Sequence, residues 1–436
     1  MPKPMQANTL ILTCLIAGAS LFTSSTVTQA TSSPFLKYEV NDVLTGYITH
    51  TIMVHNPTSN TVTDGQLTVP LIGNETARLY TIVQGISSTM GQPMILQENS
   101  QNAYALWENI GIEAQDSFSV EISYQVLSLS PSYTIDSELA GSYKEDSELY
   151  REYTQSEPLI ETDNLKITAK AQSITSNCTN VYEKAVKIYD FVIRHLRYAV
   201  QDEERGALWA LDNGAGDCSE YSYLFVALCR AVGIPARIEA GFVFHYVGET
   251  TEDGHMWTEY FLENYGWVPV DPTWRLFNTI DCRHFASIQG KPEAISYANY
   301  VFNNTMESEL EDKQTVYLKP CPSSAFNNSQ FMRDLLRTVQ RVKQAKTTVL
   351  VAKFSGATLI FRLETDMSEQ SLLESKIVLA EAIEDSEASK FIDSTQRAED
   401  AARTAWVAIV KTMAAYLGAL VIVLIGMLVF LTRRAV

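Results

Sequence analysis

The sequence predicts an α+β protein in which a β-sandwich precedes a mixed helix-and-hairpin core, followed by a helical stalk and one transmembrane helix. Three observations carry this reading. In "SFSVEISYQVL", Phe118, Val120, Ile122, Tyr124 and Val126 fall on one face and the intervening polar residues on the other, the period of a half-buried strand. In "DCSEYSYLFVALCRAVGIP", Tyr221, Leu224, Phe225, Leu228 and Val232 keep helical spacing until Gly233 and Pro235 stop it. Residues 412–431, "TMAAYLGALVIVLIGMLVFL", carry no charge and suffice to cross ~30 Å of hydrocarbon.

The elements follow in chain order. Residues 1–30 open with Lys3, continue through "TLILTCLIAGASLF" and close on small residues, the layout of a signal peptide. Residues 31–130 read as a β-sandwich domain, because "GYITHTIMVHNPTSNTVTDGQLTVPL" supplies two strands separated by Asn-Pro and Asp-Gly turn signals. Its His50 and His55 read as structural. Residues 131–175 are polar and rich in Ser, Glu and Tyr, consistent with a linker packing on the next domain. The expected catalytic domain spans 176–320 and begins with a helix near Asn180, where Glu183 completes a capping-box pattern ahead of Ala185, Ile188 and Val192. Residues 321–405 form a polar region and helical stalk. A strand pair is expected in "TTVLVAKFSGATLIFRLE" and a charged, self-associating helix from about Ser368 to Arg403. The transmembrane helix covers 406–432 and a cytoplasmic tail 433–436, since Arg433 and Arg434 favour the inner side. The bulk of the chain is then expected outside the membrane.

At 436 residues and 46% hydrophobic content the chain holds more than one ordinary core. A net charge of −18 argues against a nucleic-acid partner, which needs clustered Lys and Arg. Sequons at Asn74, Asn177, Asn303 and Asn327 are compatible with an outer face. If Cys14 leaves with the signal, Cys178, Cys218, Cys229, Cys282 and Cys321 remain. That odd number outside the cell implies a free thiol. Among them, Cys178, Cys282 and Cys321 have the makings of a disulfide that sequence does not pair, and Cys229 belongs to the core. Neither CxxC pairs nor His clusters at zinc spacing occur, so no metal or other cofactor is expected.

The thiol with a chemical setting is Cys218. With Asp217 as N-cap and Glu220 at the third helical position, Cys218 is the first residue of the helix, among unpaired N–H groups and at the positive pole of the macrodipole. Both favour thiolate, and the same N–H groups suit an oxyanion. A base and its orienting group are expected in "DGHMWTEYFLENYGWVPVDPTW", which reads as a strand, a turn and a returning strand. If Phe261 pairs with Gly266, paired indices sum to 527, and His255 plus Asp271 gives 526, so both side chains share a face. His255 would take the proton of Cys218 and Asp271 would fix the imidazole tautomer. His195, His245 and His284 lack such partners and read as structural.

These stretches, "GAGDCSEYSYLFVALCRAVGIPARIEAGF" and "GHMWTEYFLENYGWVPVDPTW", in this order and spacing, resemble the transglutaminase-like superfamily over about residues 150–290. The resemblance implies a papain-like α+β core with Cys218, His255 and Asp271 as its catalytic triad. Trp209 and Trp257 are the expected substrate-binding aromatics, Trp209 lying where family members often place one near the acyl site. The sandwich ahead of the core is similar to what accompanies such domains in secreted prokaryotic proteins. The implied activity is acyl transfer from a protein or peptide amide through a Cys thioester, to an amine or to water. The alternatives are a non-catalytic surface binding or adhesion protein on the same fold, and an enzyme of the same triad acting on glycosylated asparagine. The calcium dependence of the animal branch finds no EF-hand pattern here.

Overall fold

The computed structural model describes residues 35–73, 80–97, 102–290, 297–306, 309–326 and 329–434. The expected signal peptide, Asn74, Asn327 and the last two residues of the tail lie outside the described residues, while Asn177 and Asn303 are exposed.

The sandwich consists of two antiparallel sheets. One orders Thr250–Thr251, Glu311–Pro320, Glu39–His55, Ser117–Ser132 and Thr81–Ser88; the other orders Asn299–Val301, Val62–Pro70, Ala103–Ile112 and Met94–Gln97. Alternation does what it should: Val120, Ile122, Tyr124 and Val126 are buried, with Val120 opposite Ile52 and Tyr124 opposite Ile48 of the neighbouring strand, in one cluster with Leu67, Val69 and Trp107 of the second sheet. Two features were not expected. Strands Asn299–Val301 and Glu311–Pro320, which fall inside the second expected domain of 176–320, instead complete the sheets of the sandwich. The sandwich core also continues into Phe242 and Phe285 of the next sheet and into Phe244 just past its strand.

Residues 131–175, expected as a linker, contain helices Glu148–Tyr153 and Leu165–Thr175, and the second packs on the helix that starts at Cys218. Arg230 of that helix pins the segment, donating to the Gln155 carbonyl at 2.9 Å and the Glu157 carboxylate at 2.7 Å. Helix Val181–His195 is capped by Asn180 as expected. The following segment forms one antiparallel sheet in the order Leu276–Phe277, Gly266–Asp271, His255–Leu262, Ala236–Val243, His284–Gln289, with helix Cys218–Ala231 packed on it. A buried Arg237–Glu259 pair, 2.7 Å apart, braces two of these strands, and the guanidinium sits 3.9 Å over the Trp267 ring.

The C-terminal region differs most from expectation. The expected strand pair is instead the end of helix Gln330–Phe354, the single turn Ala357–Ile360 and the start of helix Arg362–Glu384. Val349 and Ala352 extend the buried spacing begun by Leu335, Val339, Val342 and Ala345, so tertiary packing outweighs the β preference of a Thr- and Val-rich run. The expected single stalk is two helices, Arg362–Glu384 and Ala388–Arg434, reversed by a turn in which Ser386 takes φ 54°. The three helices form a bundle. Its third member offers Ser394, Ala398, Ala401, Ala405 and Ala408 as a buried stripe of small residues. The bundle is tied to the first strand by Lys343–Asp42 at 3.0 Å and Lys346–Glu39 at 2.9 Å.

Candidate active site

The start of the Cys218 helix is built by its flanks. Arg197–Tyr198 pairs in parallel with Ala215–Gly216 and delivers the chain to Asp217. The Asp217 carboxylate accepts from the Ser219 N–H at 3.1 Å and the Gln201 N–H at 3.0 Å. In return the Glu220 carboxylate accepts from the Asp217 N–H at 3.0 Å and the Arg205 N–H at 2.8 Å, completing the expected capping box. Glu220 is wholly buried, and burial raises its pKa. Gly216 is required here, because a Cβ at that position would stand 2.3 Å from the Glu220 Cβ. Cys218 emerges half-buried at the first helical position, where these capping bonds leave its own N–H uncommitted.

The hairpin register differs by one from the expected value. Strands pair from Thr258↔Val270 to Leu262↔Gly266, a sum of 528. The Tyr265 N–H donates to the Leu262 carbonyl at 2.9 Å and Gly266 takes φ 79°, a turn closed by a glycine bulge that costs the one-residue shift. Asp271 is therefore level with Trp257, diagonal to His255 on the same face, and the imidazole spans the diagonal. His255 Nε2 donates to Asp271 Oδ2 at 2.8 Å. Burial works against a charged imidazole, yet the hydrogen bonds and charges of Asp271 and Cys218 prevail and push His255 up to about 9. With Nε2 committed to Asp271, the nitrogen facing the thiol is Nδ1.

Asp271 is fully buried, which opposes its ionisation, but the hydrogen bonds from His255 and His284 hold it well below the usual carboxylate range. Its Oδ1 accepts from the N–H groups of Thr273 at 2.9 Å and Trp274 at 3.0 Å. His284 is the residue that sequence reasoning passed over. Its Nε2 lies 3.2 Å from Asp271 Oδ2 and its Nδ1 lies 2.8 Å from Asp281 Oδ1. Although burial disfavours its charge, the two carboxylates raise its pKa. Burial likewise opposes the Asp281 charge, but His284 and Arg283 hold it down at about 2. A chain of alternating charge thus runs from His255 through Asp271 and His284 to Asp281. The signal available was the i, i+3 spacing of Asp281 and His284 in "DCRH". His255, Asp271 and His284 also bring three ligand atoms within 4.8 Å, a set able to take a metal, and these atoms are here bonded to one another.

Trp257 is buried, its ring stacked 6.1 Å from that of His255 and edge-on to His284 at 5.2 Å, so it packs against the imidazole. Trp209 is half-buried on helix Gly206–Asn213 and, among the described residues, joins none of the ring contacts around His255. The half-buried Trp274 lies 5.9 Å from the His255 ring, and Tyr198 is exposed. Tyr297 donates to the His255 carbonyl at 3.5 Å and packs over Gly254, where a Cβ would stand 2.1 Å from its ring. The remaining four histidines are held elsewhere: His195 by the Leu211 carbonyl at 2.8 Å, His245 by Glu249 at 3.0 Å, His55 by the Asp116 carbonyl at 3.1 Å, and His50 by Gln314 at 3.2 Å, with burial lowering it to about 4. All five described cysteines are separate thiols.

Comparison with known proteins places this site in a familiar setting. Residues 168–272 match the transglutaminase-like superfamily, so the chain carries a transglutaminase-like domain containing Cys218, His255 and Asp271. A stretch of 72 residues is 35% identical to a protein-glutamine gamma-glutamyltransferase of Pseudomonas aeruginosa, covering 15% of this chain and 11% of that protein. Over 173 residues, 35% of this chain and 23% of the relative, it is 25% identical to the uncharacterized protein YebA of Bacillus subtilis. A third relative, an uncharacterized protein of Haemophilus influenzae, is 27% identical over 150 residues, 28% of this chain and 39% of that one. The chain thus spans well under half the length of the curated relatives it matches. Among solved structures, a candidate cysteine protease from Cytophaga hutchinsonii aligns over 65% of this chain and 93% of its own at 17% identity, with a TM-score of 0.49. The periplasmic domain of TgpA from Pseudomonas aeruginosa aligns over 53% and 91% at 16% identity, with a TM-score of 0.26.

Proposed function

We propose, with the transglutaminase-like domain of residues 168–272 as premise, that this chain is a membrane-anchored, extracytoplasmic thiol acyl-transfer enzyme acting on protein or peptide amides. The observation that carries the reading is His255 hydrogen-bonded at 2.8 Å to a buried Asp271, in an imidazole whose pKa both Asp271 and Cys218 raise. An imidazole pushed up to about 9 takes and holds the proton of Cys218. Cys218 Sγ attacks the amide carbonyl, and the Cys218 N–H at the helix start is a donor for the oxyanion. His255 gives its proton to the departing amine, leaving a thioester. It then takes a proton from the incoming amine or water, whose attack releases the acyl group and restores the thiol pair. Asp271 holds the tautomer throughout. Tyr198 and Trp274 flank the side from which an acyl chain can approach. Anchoring rests on the apolar run within Ala388–Arg434, whose side chains are exposed over 413–428.

The test uses the full chain in detergent with a glutamine-containing protein and a labelled primary amine, read by mass spectrometry for amine incorporation and backbone cleavage. Cys218→Ala is expected to abolish both, and His255→Ala to lower turnover by about 10²- to 10⁴-fold. Incorporation makes the chain a crosslinker; cleavage alone makes it a peptidase. Unchanged turnover in Cys218→Ala sinks the mechanism.

A further inference from the structure

The turn that joins the first two bundle helices, residues 350–363, presents carbon where a soluble turn would present polar groups. Helix Gln330–Phe354 ends there, Ala357–Ile360 adds a single turn, and Arg362–Glu384 departs. Phe354 is 84% and Leu359 89% exposed, and Leu350, Val351 and Leu363 join them as an exposed apolar cluster. The bundle's own packing does not need these side chains, since its interior is filled by Leu335, Val342, Leu379 and the small residues of the last helix.

Contacts fix the height of this turn along the last helix. Tyr416 Oη donates to the Ser355 carbonyl at 3.1 Å, Lys411 pairs with Glu364 at 2.6 Å, and the Lys411 ammonium lies 5.6 Å over the Phe361 ring. The turn is therefore level with residues 411–416, where the uncharged run 412–431 begins. Tyr416 stands about 6 Å along the helix from Thr412 at 1.5 Å per residue. A bilayer that takes up the run meets Phe354 and Leu359 at the depth to which interfacial apolar groups sink, ~5–10 Å. The charges around the turn suit that depth. Lys353 and Arg362, the cations nearest its tip, neutralise Glu369 at 3.0 Å and Asp366 at 3.5 Å, as Lys411 neutralises Glu364 at 2.6 Å, so these acids enter the interface paired. Trp406, exposed six residues before the run, lies at headgroup height.

We propose that the turn at 350–363 inserts into the bilayer leaflet adjoining the catalytic body and gives the chain a second membrane contact beside its transmembrane helix. This rests on the anchored reading above. Two contacts joined through a bundle that is itself ion-paired to the first strand fix the tilt of the whole body relative to the membrane, which a single helix does not. The test reconstitutes the full chain in phosphatidylcholine nanodiscs containing a phospholipid with a diazirine near the headgroup end of its acyl chain. After photolysis, label is mapped by mass spectrometry. Label is expected on 350–363 to within about threefold of that on 412–419, as for two segments at one interfacial depth. Phe354→Asp combined with Leu359→Asp is expected to lower label on the turn about tenfold, because carboxylates are expelled from hydrocarbon. Label on 412–419 and the alkylation rate of Cys218 should stay unchanged, which reports an intact fold. A labelled span with an unlabelled turn overturns the proposal and leaves the anchor standing. Absence of label from both overturns the anchor and the proposal together.

Discussion

One carboxylate oxygen, Asp271 Oδ2, accepts hydrogen bonds from two imidazoles, and this shapes the pH behaviour of the proposed enzyme. His284 is buried 6.0 Å from the His255 ring, with the Asp271 and Asp281 carboxylates raising its pKa and Arg283 beyond them. A charged His284 repels a charged His255, and Asp281 partly cancels that repulsion. His284→Gln keeps a donor toward Asp271 but removes the charge, so His255 should hold its proton to higher pH. At an effective dielectric of ~20 across this separation, the alkaline limb of kcat/KM is expected to move up by roughly one pH unit from near 9. A pH–rate profile checks this, and a limb that falls or stays fixed removes His284 from the charge network. The partial legibility of the site has the same origin. Cys218, His255 and Asp271 sit in local devices, a capped helix start and one hairpin, whose geometry is encoded within a few residues. His284 acts on a carboxylate contributed by a different strand, and no local pattern reports a neighbour that tertiary folding supplies.

At the scale of elements, the helix start depends on a close approach rather than on propensity. Gly216 leaves room for Glu220 to turn back onto the Asp217 N–H, and the added Cβ of Gly216→Ala would overlap that side chain at 2.3 Å. The expected cost is about 1–3 kcal/mol by overpacking. Thermal unfolding should register it as a lower Tm, and iodoacetamide labelling of Cys218 should slow as the first turn loses its geometry. An unchanged Tm and labelling rate would mean that the capping box is dispensable. Elements whose period and punctuation agree were legible: the strand through Val120 and Tyr124, the helix at Val181–His195, and the helix between Asp217 and Gly233. Residues 347–354 were not, because Thr347, Thr348 and Val349 favour a strand locally. Packing of Val349 and Ala352 inside the bundle decides for helix, with the Thr347 and Thr348 hydroxyls bonded back to Lys343 and Gln344 carbonyls at 3.0 Å.

At the scale of the molecule, the sandwich and the catalytic sheet are built around one apolar interior. Phe242 comes from the strand beside His255, Phe244 from the residue just past its end, and Phe285 from the strand that carries His284, yet all three belong to one buried cluster with Ile52, Trp107 and Tyr300 of the sandwich side. Strand Glu311–Pro320 then crosses back to pair with Glu39–His55 over ten residues. The sequence hid this closure because only Val316 and Leu318 of that strand are buried among Glu, Asp, Lys and Gln, too sparse a pattern to mark a strand. Burying three phenylalanines contributes about 5–9 kcal/mol at ~1.5–3 kcal/mol each, comparable with the whole stability of an ordinary domain, ~5–15 kcal/mol. A fragment of residues 168–290, which keeps Cys218, His255 and Asp271, should therefore fail to unfold cooperatively in calorimetry. The full chain in detergent should show the sandwich and catalytic sheet melting in one transition, with Cys218 protected from alkylation up to that temperature. Two separated transitions, with Cys218 exposed in the first, would mean that the shared phenylalanines couple the sheets weakly and that the sandwich is only an attachment. One transition would mean that the base, its carboxylate and the charged histidine behind it are held in place partly by strands more than a hundred residues earlier in the chain.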